Sequence, residues 1–456
     1  MNSAMSLLFL LAPVAMAAAH DEIHAALVNR VDEAHKTVGI VVGIIDARGR
    51  EVLAYGKADR MSALAPDGDT IFEIGSLTKV FTSLVLADMI ERGEVKPDDP
   101  VAKYLPADAK VPGRNGRQIT LLDLSMQISG LPRLPDNLQP ADQFNPYTDY
   151  TDARLLDFLS RYALTRDIGE KYEYSNLGVG LLGFALARKA GVSYEEMVRR
   201  RILEPLGMTS TTITLTTAQK KRLAAGHSAG LERVPNWDFD ALAGCGAIRS
   251  TANDLLKFLS AHLELTDTPL RPAIRRMRSV HHDTGTPDLE IMMGWHVWHR
   301  YGTDIVWHNG GTYGYHSFAG FDPAKQTGVV VLCNSGFDID DIGRHILEGR
   351  WPLQRYDAAK ERTGITLAPE VLQRYVGDYQ FAPRVILKVA REGPRILIQL
   401  TGQPAVEMFA EKEDEFFLKV VDAQLRFVKD EAGIVTGVIL HQGGLDQKAA
   451  RVPAGK

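Results

Sequence analysis

Residues 72–81 read Phe-Glu-Ile-Gly-Ser-Leu-Thr-Lys-Val-Phe and place a serine at the start of an apolar, helix-like stretch. Ser76 is the only serine of the chain that is followed three residues later by lysine. Side chains at this spacing share one face of a helix, about 5 to 6 Å apart at Cβ, so the Lys79 amine can reach the Ser76 hydroxyl. A hydroxyl needs a base to become a strong nucleophile, and burial favours the neutral amine of lysine. The pair is therefore a candidate nucleophile and base; the alternative is a serine that caps a core helix beside an unrelated lysine.

Two further motifs follow along the chain. Tyr174-Ser175-Asn176 is its only Tyr-x-Asn and precedes a glycine- and leucine-rich stretch, 177–183, that is typical of a buried helix. The third motif, residues 307–312 (Trp-His-Asn-Gly-Gly-Thr), follows the strand-like Asp304-Ile305-Val306. Three motifs in this order make a chance match to the first one improbable.

SxxK, Tyr-x-Asn and a later strand with His-x-Gly together resemble the class C β-lactamase and D-alanyl-D-alanine peptidase family of penicillin-recognising serine hydrolases. Shorter phrases extend the resemblance over residues 25 to 350: Gly130-Leu131-Pro132, the run 204–208 and the run 250–255. The resemblance implies an α+β fold in which a helical cluster packs on an antiparallel sheet. Helix-like stretches such as 152–163 and 193–203, mixed with strand-like 38–46 and 327–333, agree with that class.

The resemblance also implies roles for the motif residues. Ser76 would be acylated, Lys79 and the Tyr174 phenol would share the proton transfers, and Asn176 would hydrogen-bond Lys79 or the substrate amide. Whether Lys79 or Tyr174 is the resting base stays open. The backbone amides of Ser76 and Gly311 would form the oxyanion hole. His308 would complete the catalytic set, and the substrate-binding residues would be Asn309, Gly310 and Thr312.

His308 departs from the family pattern, because class C β-lactamases usually carry lysine at this position. Histidine, with an ordinary pKa of about 6.5, is mostly neutral at pH 7 and would hold a substrate carboxylate less firmly. Three functions therefore stay open. They are an acyl-enzyme hydrolase of β-lactams or D-amino-acid peptides, a carboxylesterase of small esters, and a non-catalytic penicillin-binding or scaffold protein.

Two rival motifs have a less suitable context. Gly226-His227-Ser228-Ala229-Gly230 matches the lipase pattern G-x-S-x-G, but that pattern needs a strand before the serine and a helix after it, and neither is indicated. The second His-x-Gly-Gly, residues 441–444, more simply forms a turn after a strand.

No metal, cofactor or nucleic acid is predicted as a partner. His296 and His299 lie three apart on a predicted strand, so their side chains point to opposite faces. The net charge of −5 over 456 residues offers no basic surface for nucleic acid. The expected partner is a small-molecule or peptide substrate.

The N-terminus predicts export. Residues 1–19 combine a short apolar core with small residues in A-x-A spacing, as in a cleaved signal peptide, although lysine and arginine are absent from this stretch. A short membrane anchor or a misassigned start codon is the alternative. No later apolar run reaches the roughly 20 residues needed to span a bilayer, so we expect a periplasmic or secreted protein without an integral span after cleavage.

The chain is predicted to contain a hydrolase domain over 20–355, a linker over 356–369 and a small β-barrel over 370–456. Short alternating strands separated by turns indicate the barrel, which looks like the lipocalin-like module of some relatives. Packing or homo-oligomerisation is its simpler role, because a small barrel can be filled by its own side chains. Cys245 and Cys333 are the only cysteines, and whether they pair stays open.

Overall fold

The computed structural model describes residues 11–359, 362–382, 385–401, 405–419, 423–442 and 445–453. The described residues within Met1–Gly226 and Val234–Asp357 form one compact unit, and those within His227–Arg233 and Ala358–Lys456 form a second. The first unit is an α+β structure and the second is a closed β-barrel, so both fold predictions are confirmed. The predicted residue limits of the domains stay predictions. In the structure, the first unit ends at Asp357 and the long segment of the second unit begins at Ala358.

The α-helices, in chain order, are α1 Leu11–Val28, α2 Thr78–Glu91, α3 Leu121–Ser125, α4 Asp152–Arg161, α5 Asn176–Ala190, α6 Tyr194–Val198, α7 Glu204–Leu206, α8 Thr217–Lys220, α9 Ala252–His262, α10 Arg271–Met277, α11 Asp340–Leu347 and α12 Pro369–Gln373. Short 3-10 turns cover Gly75–Leu77, Val101–Tyr104 and Ala243–Cys245, and π-turns cover Asn29–Glu33 and Arg199–Leu203. The strands of the first unit are β1 Gly39–Asp46, β2 Gly49–Gly56, β3 Phe72–Glu73, β4 Gly113–Arg114, β5 Arg117–Gln118, β6 Arg249–Ser250, β7 His282–Asp283, β8 Leu289–Ile291, β9 His296–Arg300, β10 Thr303–Gly311, β11 His316–Asp322 and β12 Thr327–Cys333.

Eight of these strands form one antiparallel sheet in the order β2-β1-β12-β11-β10-β9-β8-β7. Strands β1 and β12 are continuous apolar runs because both faces of the sheet are covered. Val41, Val330 and Leu332 face the larger core with α9. Residues Ile40 and Val42 face a second core with α1 and α11. A change of register by one residue would exchange these two cores, so the burial of both faces specifies the strand pairing.

Helix α2 is buried on nearly all sides and begins directly after the turn that carries Ser76. Its mixed apolar and small residues suit a central helix, since a helix without a polar face belongs in a core. Helix α5 packs beside α2, and the glycines of α5 permit a close approach of the segment 242–244. A Cβ at Gly183 would lie 2.8 Å from the backbone of Gly244, and one at Gly180 would lie 2.6 Å from Leu242. This contact brings the Ala243–Cys245 turn against α2.

The second unit contains β13 Gly377–Ala382, β14 Val385–Glu392, β15 Arg395–Leu400, β16 Val406–Ala410, β17 Glu415–Leu418, β18 Ala423–Lys429, β19 Val435–Gln442 and β20 Leu445–Arg451. They close into a barrel with each strand paired to its neighbours in sequence. Inward positions are filled by side chains that include Tyr375, Tyr379, Phe416 and Phe427. Described side chains therefore occupy the interior, as expected for a small barrel. The homo-oligomer role of this unit stays a prediction.

The remaining sequence predictions have these outcomes. Ser228 of the lipase-like pattern lies in a turn, without the strand and helix that pattern requires. His441, from the second His-x-Gly-Gly, is an exposed residue near the end of strand β19. Residues 443 and 444 lie outside the described residues. Cys245 and Cys333 are both buried and free, so they do not form a disulfide.

The N-terminal prediction is only partly covered by the structure. Residues 1–10 of the predicted signal lie outside the described residues, and α1 runs through the predicted cleavage region to Val28. Ile23 and Leu27 of this helix are buried in the second core. Among the residues that the structure describes, no helix has both the length and the apolar character needed to cross a membrane.

Candidate active site

The turn that carries Ser76 is held against strand β10 by two glycines. Gly75 has a φ of +48°, and a Cβ there would lie 2.8 Å from both the amide nitrogen and the carbonyl oxygen of Gly311. A Cβ at Gly310 would lie 2.0 Å from the Ile74 carbonyl oxygen and 2.7 Å from the Ser76 nitrogen. Only glycine permits such a close backbone approach. The approach places the Ser76 turn beside the exposed Gly311, as an oxyanion hole built from both amides would require.

Lys79 lies one helical turn after Ser76 and reaches its hydroxyl. The Nζ atom is 2.9 Å from Ser76 Oγ, and the lysine is 1% exposed. It also donates a hydrogen bond of 2.7 Å to the backbone carbonyl of Cys245. The SxxK spacing therefore produces the predicted contact, and Lys79 is close enough to exchange a proton with the Ser76 hydroxyl.

The Cys245 carbonyl is a site component that sequence reasoning missed. The Ala243–Cys245 turn is fixed against α2 by Thr82, whose hydroxyl donates to the Gly244 carbonyl at 2.7 Å and contacts Tyr194 Oη at 2.6 Å. The close glycine contacts of α5 bring the same turn into place. Cys245 itself is no nucleophile, because burial raises the pKa of its thiol. The Gly-Cys-Gly sequence was the available signal, since it indicates a tight turn with exposed carbonyls.

Tyr174 lies over the lysine. The Lys79 Nζ is 4.8 Å from the centre of the Tyr174 ring, within the range of a cation–π contact. The His308 ring lies on the same side of the site, with its centre 6.2 Å from that of Tyr174. The structure thus brings together the residues of the first, second and third motifs around one ammonium group.

Asn176 begins helix α5, which Ser175 caps by accepting a bond from the Gly178 amide. Its Nδ2 donates to the Tyr147 hydroxyl at 3.0 Å, and its Oδ1 is buried without a hydrogen-bond partner among the described residues. Tyr147 stacks on Phe239 with ring centres 4.6 Å apart. The Oδ1 atom retains its capacity to accept a bond from Lys79 or from a substrate amide. Tyr147 is a second residue that the motif search did not identify.

His308 is 1% exposed and its ring Nδ1 lies 2.5 Å from the carbonyl oxygen of Asn309. A carbonyl only accepts, so Nδ1 carries the proton and Nε2 keeps its lone pair. Burial, followed by the neighbouring His296 and the Lys79 charge, holds the pKa of His308 well below its ordinary value. His308 is therefore a neutral imidazole in this structure.

His296 packs against His308 with ring centres 5.2 Å apart, and its Nε2 is 2.9 Å from Tyr172 Oη. Burial lowers the pKa of His296 to about 4, and the charge of Lys79 adds to this effect. His299 lies on the opposite face of β9 beside Asp304, as the strand spacing predicted. Two buried neutral histidines and a tyrosine thus form the wall of the site behind Lys79.

Asn309 points away from Ser76. Its Nδ2 donates to the Asp340 carboxylate at 2.7 Å on the other face of the sheet, because side chains alternate along a strand. Thr312 keeps its amide bonded to the Tyr315 carbonyl at 3.0 Å, and the side chain is buried. The structure therefore brings His308 and Gly310 to the site face and directs the Asn309 side chain elsewhere.

Within the described part of the chain, one group could in principle ligate a metal: His316, Asp338 and Asp340, with potential ligand atoms within 4.8 Å of one another. Asp340 already accepts bonds from Asn309, from His316 Nε2 at 2.9 Å and from Arg344 at 2.9 Å. These donors satisfy its carboxylate, and the group is best described as a hydrogen-bonded network around the buried Asp340.

The fold and the site define a class: an SxxK serine hydrolase with a helical cluster on an antiparallel sheet. Residues 24–347 match the Beta-lactamase family, and residues 361–451 match a Domain of unknown function (DUF3471). The chain belongs to the Beta-lactamase family. The predicted family and the predicted class, serine hydrolase, are both confirmed.

Relatives with curated names are similar to parts or most of the chain. The D-alanyl-D-alanine-carboxypeptidase/endopeptidase AmpH of Escherichia coli (strain K12) is 32% identical over 225 residues, 49% of this chain and 57% of that protein. Penicillin-binding protein 4* of Bacillus subtilis (strain 168) is 24% identical over 460 residues, 93% of this chain and 97% of that protein. The similarity to the second protein thus extends through the barrel.

A solved structure supports the fold. The β-lactamase/D-alanine carboxypeptidase from Yersinia pestis, crystallised with citrate, superposes with a TM-score of 0.62 at 26% identity, covering 72% of this chain and 99% of that one. The chain matches only 57% of the length of the AmpH relative, so the activity and substrates of this protein are treated below as proposals.

Proposed function

We propose that this protein is an exported serine hydrolase that forms an acyl-enzyme on Ser76 and acts on amide bonds of β-lactams or D-amino-acid peptides. The observation that carries the proposal is the 2.9 Å contact between Lys79 Nζ and Ser76 Oγ beneath the Tyr174 ring. This contact places the nucleophile in one buried cluster with the Lys79–Tyr174 pair, which would take up its proton. Relatives named as D-alanyl-D-alanine carboxypeptidase and penicillin-binding protein support the substrate class.

The chemistry would proceed in two steps. Ser76 Oγ attacks the carbonyl carbon while its proton passes to the Lys79–Tyr174 pair, and the backbone amides of Ser76 and Gly311 hold the developing oxyanion. Collapse of the intermediate breaks the carbon–nitrogen bond, and the leaving nitrogen takes the proton. Water then attacks the ester on Ser76, with the same groups accepting its proton, and restores the serine hydroxyl.

A carboxylesterase is the second candidate, and the state of His308 favours it. A neutral His308 supplies no positive charge where the β-lactamases of the family usually have lysine. An uncharged ester would not need that charge, whereas penicillins and D-alanyl peptides carry a carboxylate. The third candidate, a non-catalytic binding protein, is disfavoured because the groups needed for acylation are assembled in contact.

Location and assembly belong to the proposal as well. A periplasmic or secreted location rests on the sequence pattern of residues 1–19. Homo-oligomerisation through the barrel rests on its filled interior, which leaves its outer surface as the part available for contact.

The test is incubation of the purified protein with a fluorescent penicillin, read by intact mass and by product formation. We expect an adduct on Ser76 in the wild type and none in Ser76→Ala, with a loss of turnover of at least about 10⁴-fold in that variant. Rapid turnover identifies a β-lactamase, and a stable adduct identifies a peptidase-like enzyme. Cleavage of a short-chain nitrophenyl ester without any penicillin adduct would replace the proposal with the esterase, and full activity of Ser76→Ala would reject both.

A further inference from the structure

The candidate site needs a positive charge for anionic substrates that the third motif does not supply. The His308 ring donates through Nδ1 to the backbone carbonyl of Asn309, which leaves an acceptor lone pair at Nε2. A lone pair repels a carboxylate. Lys79, the buried cation, is already bonded to Ser76 and to the Cys245 carbonyl. If an anionic substrate binds here, another residue must provide the charge.

Arg133 has the required position. Its guanidinium carbon lies 5.1 Å from the centre of the Tyr174 ring, the same ring that Lys79 contacts. The backbone carbonyl of Arg133 accepts bonds from the amides of Asn176 at 3.0 Å and Leu177 at 3.3 Å. The residue is thus attached through its main chain to the N-terminus of α5, so the second motif fixes the place where its side chain leaves the backbone.

The guanidinium is also free to bind an anion. The side chain is exposed, and in the described part of the chain it has neither a carboxylate partner nor a hydrogen bond through its guanidinium. Other arginines near the site differ in this respect: Arg249 is paired with Glu73 and Asp238, and Arg166 is paired with Glu173. An unpaired arginine beside a catalytic tyrosine is available for a ligand.

We propose that Arg133 is the specificity-determining residue that binds the carboxylate of the substrate, in place of the lysine that His308 replaces. A guanidinium can hold a carboxylate through two parallel hydrogen bonds, a geometry that lysine cannot reproduce. The substrate class is therefore an acyl compound with a carboxylate on its leaving group, such as a penicillin or a D-amino-acid peptide. This inference deepens the proposed function and rests on it for the position of the reacting carbonyl.

If Arg133 had only a structural role, its removal would change the kinetics of charged and uncharged substrates in a different way. If the guanidinium only holds the Tyr174 ring in place, its removal should slow the hydrolysis of every substrate equally and change the pH profile of turnover. A carboxylate-binding role raises KM for anionic substrates and leaves uncharged ones unaffected. A matched pair of substrates separates the two roles.

The experiment compares 3-acetoxybenzoate, which carries a carboxylate on its leaving group, with its uncharged methyl ester. We expect Arg133→Gln to lower kcat/KM for the anionic ester by about 10- to 100-fold, the size of a lost charged hydrogen bond, mainly through KM. The methyl ester should change by less than about 2-fold on the same scale. Arg133→Lys should recover part of the loss, because it keeps the charge without the planar fork.

Lys189→Gln is the matched control, since it removes one exposed positive charge at the far end of α5. It should leave the ratio of the two rates unchanged. Equal losses for both esters in Arg133→Gln, or an unchanged ratio, would overturn the carboxylate role.

A binding measurement keeps this inference separate from the proposed chemistry. In the Ser76→Ala protein, calorimetry with benzylpenicillin reports Kd without acylation. We expect Arg133→Gln in that background to raise Kd by about 10-fold or more. If the wild type forms no acyl-enzyme but this difference is present, the proposed hydrolase fails and the carboxylate site stands. If benzylpenicillin does not bind, or binds equally to both proteins, the inference about Arg133 is wrong.

Discussion

The two faces of strand β10 differ in how their charged groups are paired, although both carry buried polar atoms without partners, such as Trp307 Nε1 on the face away from Ser76. On the face toward Ser76, Asn176 Oδ1 and the Nδ1 atom of the neighbouring His296 are buried without hydrogen-bond partners among the described residues. On the opposite face, the Asp340 carboxylate accepts bonds from Asn309, His316 and Arg344. His308 and Asn309 are consecutive residues, yet they belong to these two different environments.

This difference shows how one strand can serve both binding and stability. Unmet hydrogen-bonding capacity in a buried site costs stability, and it is retained where a ligand can use it. A fully bonded buried carboxylate contributes to holding the fold, because removing it leaves its partners unpaired. We therefore expect changes on the first face to reduce activity and changes on the second to reduce stability.

Among the variants that compare the two faces, the largest expected effect comes from Gly310→Ala. The added Cβ would lie 2.0 Å from the Ile74 carbonyl oxygen, so β10 or the Ser76 turn must move. We expect kcat/KM to fall by about 100-fold or more, because small displacements of reacting groups are costly. Gly349→Ala is the control: this glycine is exposed and lies outside the site, its Cβ would have nothing within 4 Å, and activity should stay within a few-fold of the wild type. Similar activities for the two variants would contradict the close approach.

The next effect concerns stability. Asp340→Ala leaves Asn309, His316 and Arg344 without their shared acceptor, and we expect the free energy of unfolding to fall by about 3 kcal/mol. Denaturant unfolding measures this change, while kcat/KM should change by less than 10-fold. Asp338→Ala is the matched control: that carboxylate is 71% exposed and accepts a bond from the Asp340 amide at 2.8 Å, so we expect a smaller loss of about 1 kcal/mol. If Asp340→Ala lowers activity strongly without lowering stability, the two faces do not divide these roles.

The effect that is smallest for each pH unit is a pH dependence of stability. His262 is fully buried among aromatic rings, and burial, with a smaller contribution from the Arg278 charge, lowers its pKa to about 3. Above its ordinary pKa of about 6.5 the side chain is neutral in both states, so its full contribution is present there. As the pH falls from about 6.5 toward 3, the unfolded state binds the proton first and stability is lost, by up to about 1.4 kcal/mol per pH unit.

Replacing His262 by phenylalanine removes this proton and should flatten the decline of unfolding free energy between pH 6.5 and 4. The slope should decrease without vanishing, because His296 has a lowered pKa in the same range. His24→Gln changes an exposed histidine of α1 and should leave the slope unaltered. An unchanged slope in His262→Phe would show that the buried imidazole does not control acid stability.

Several features of the fold and site could be predicted from local patterns. The spacing from Ser76 to Lys79 predicted their contact, and alternation along β9 predicted opposite faces for His296 and His299. The apolar runs of β1 and β12 indicated strands, and the short alternating segments of the C-terminal region indicated the barrel. Each of these features depends on periodicity within one element, which the order of residues displays directly.

Other features depended on contacts between distant segments. The Cys245 carbonyl reaches Lys79 across 166 positions, and Tyr172 reaches His296 across 124. Arg133 meets Tyr174 because its carbonyl is bonded to the first turn of α5, and Asn309 faces Asp340 because α11 covers that side of the sheet. The repeat of apolar residues within a single helix or strand carries no information about such contacts.

The sequence by itself determined the family, the α+β class and the contact between Ser76 and Lys79, because these depend on short spacings and on the alternation of apolar residues. Only the tertiary structure decided which polar groups remain unpaired and which arginine lies beside the Tyr174 ring. The physical reason is that hydrogen-bond satisfaction and charge pairing are properties of packed surfaces, which exist only after helices and strands from distant parts of the chain have met.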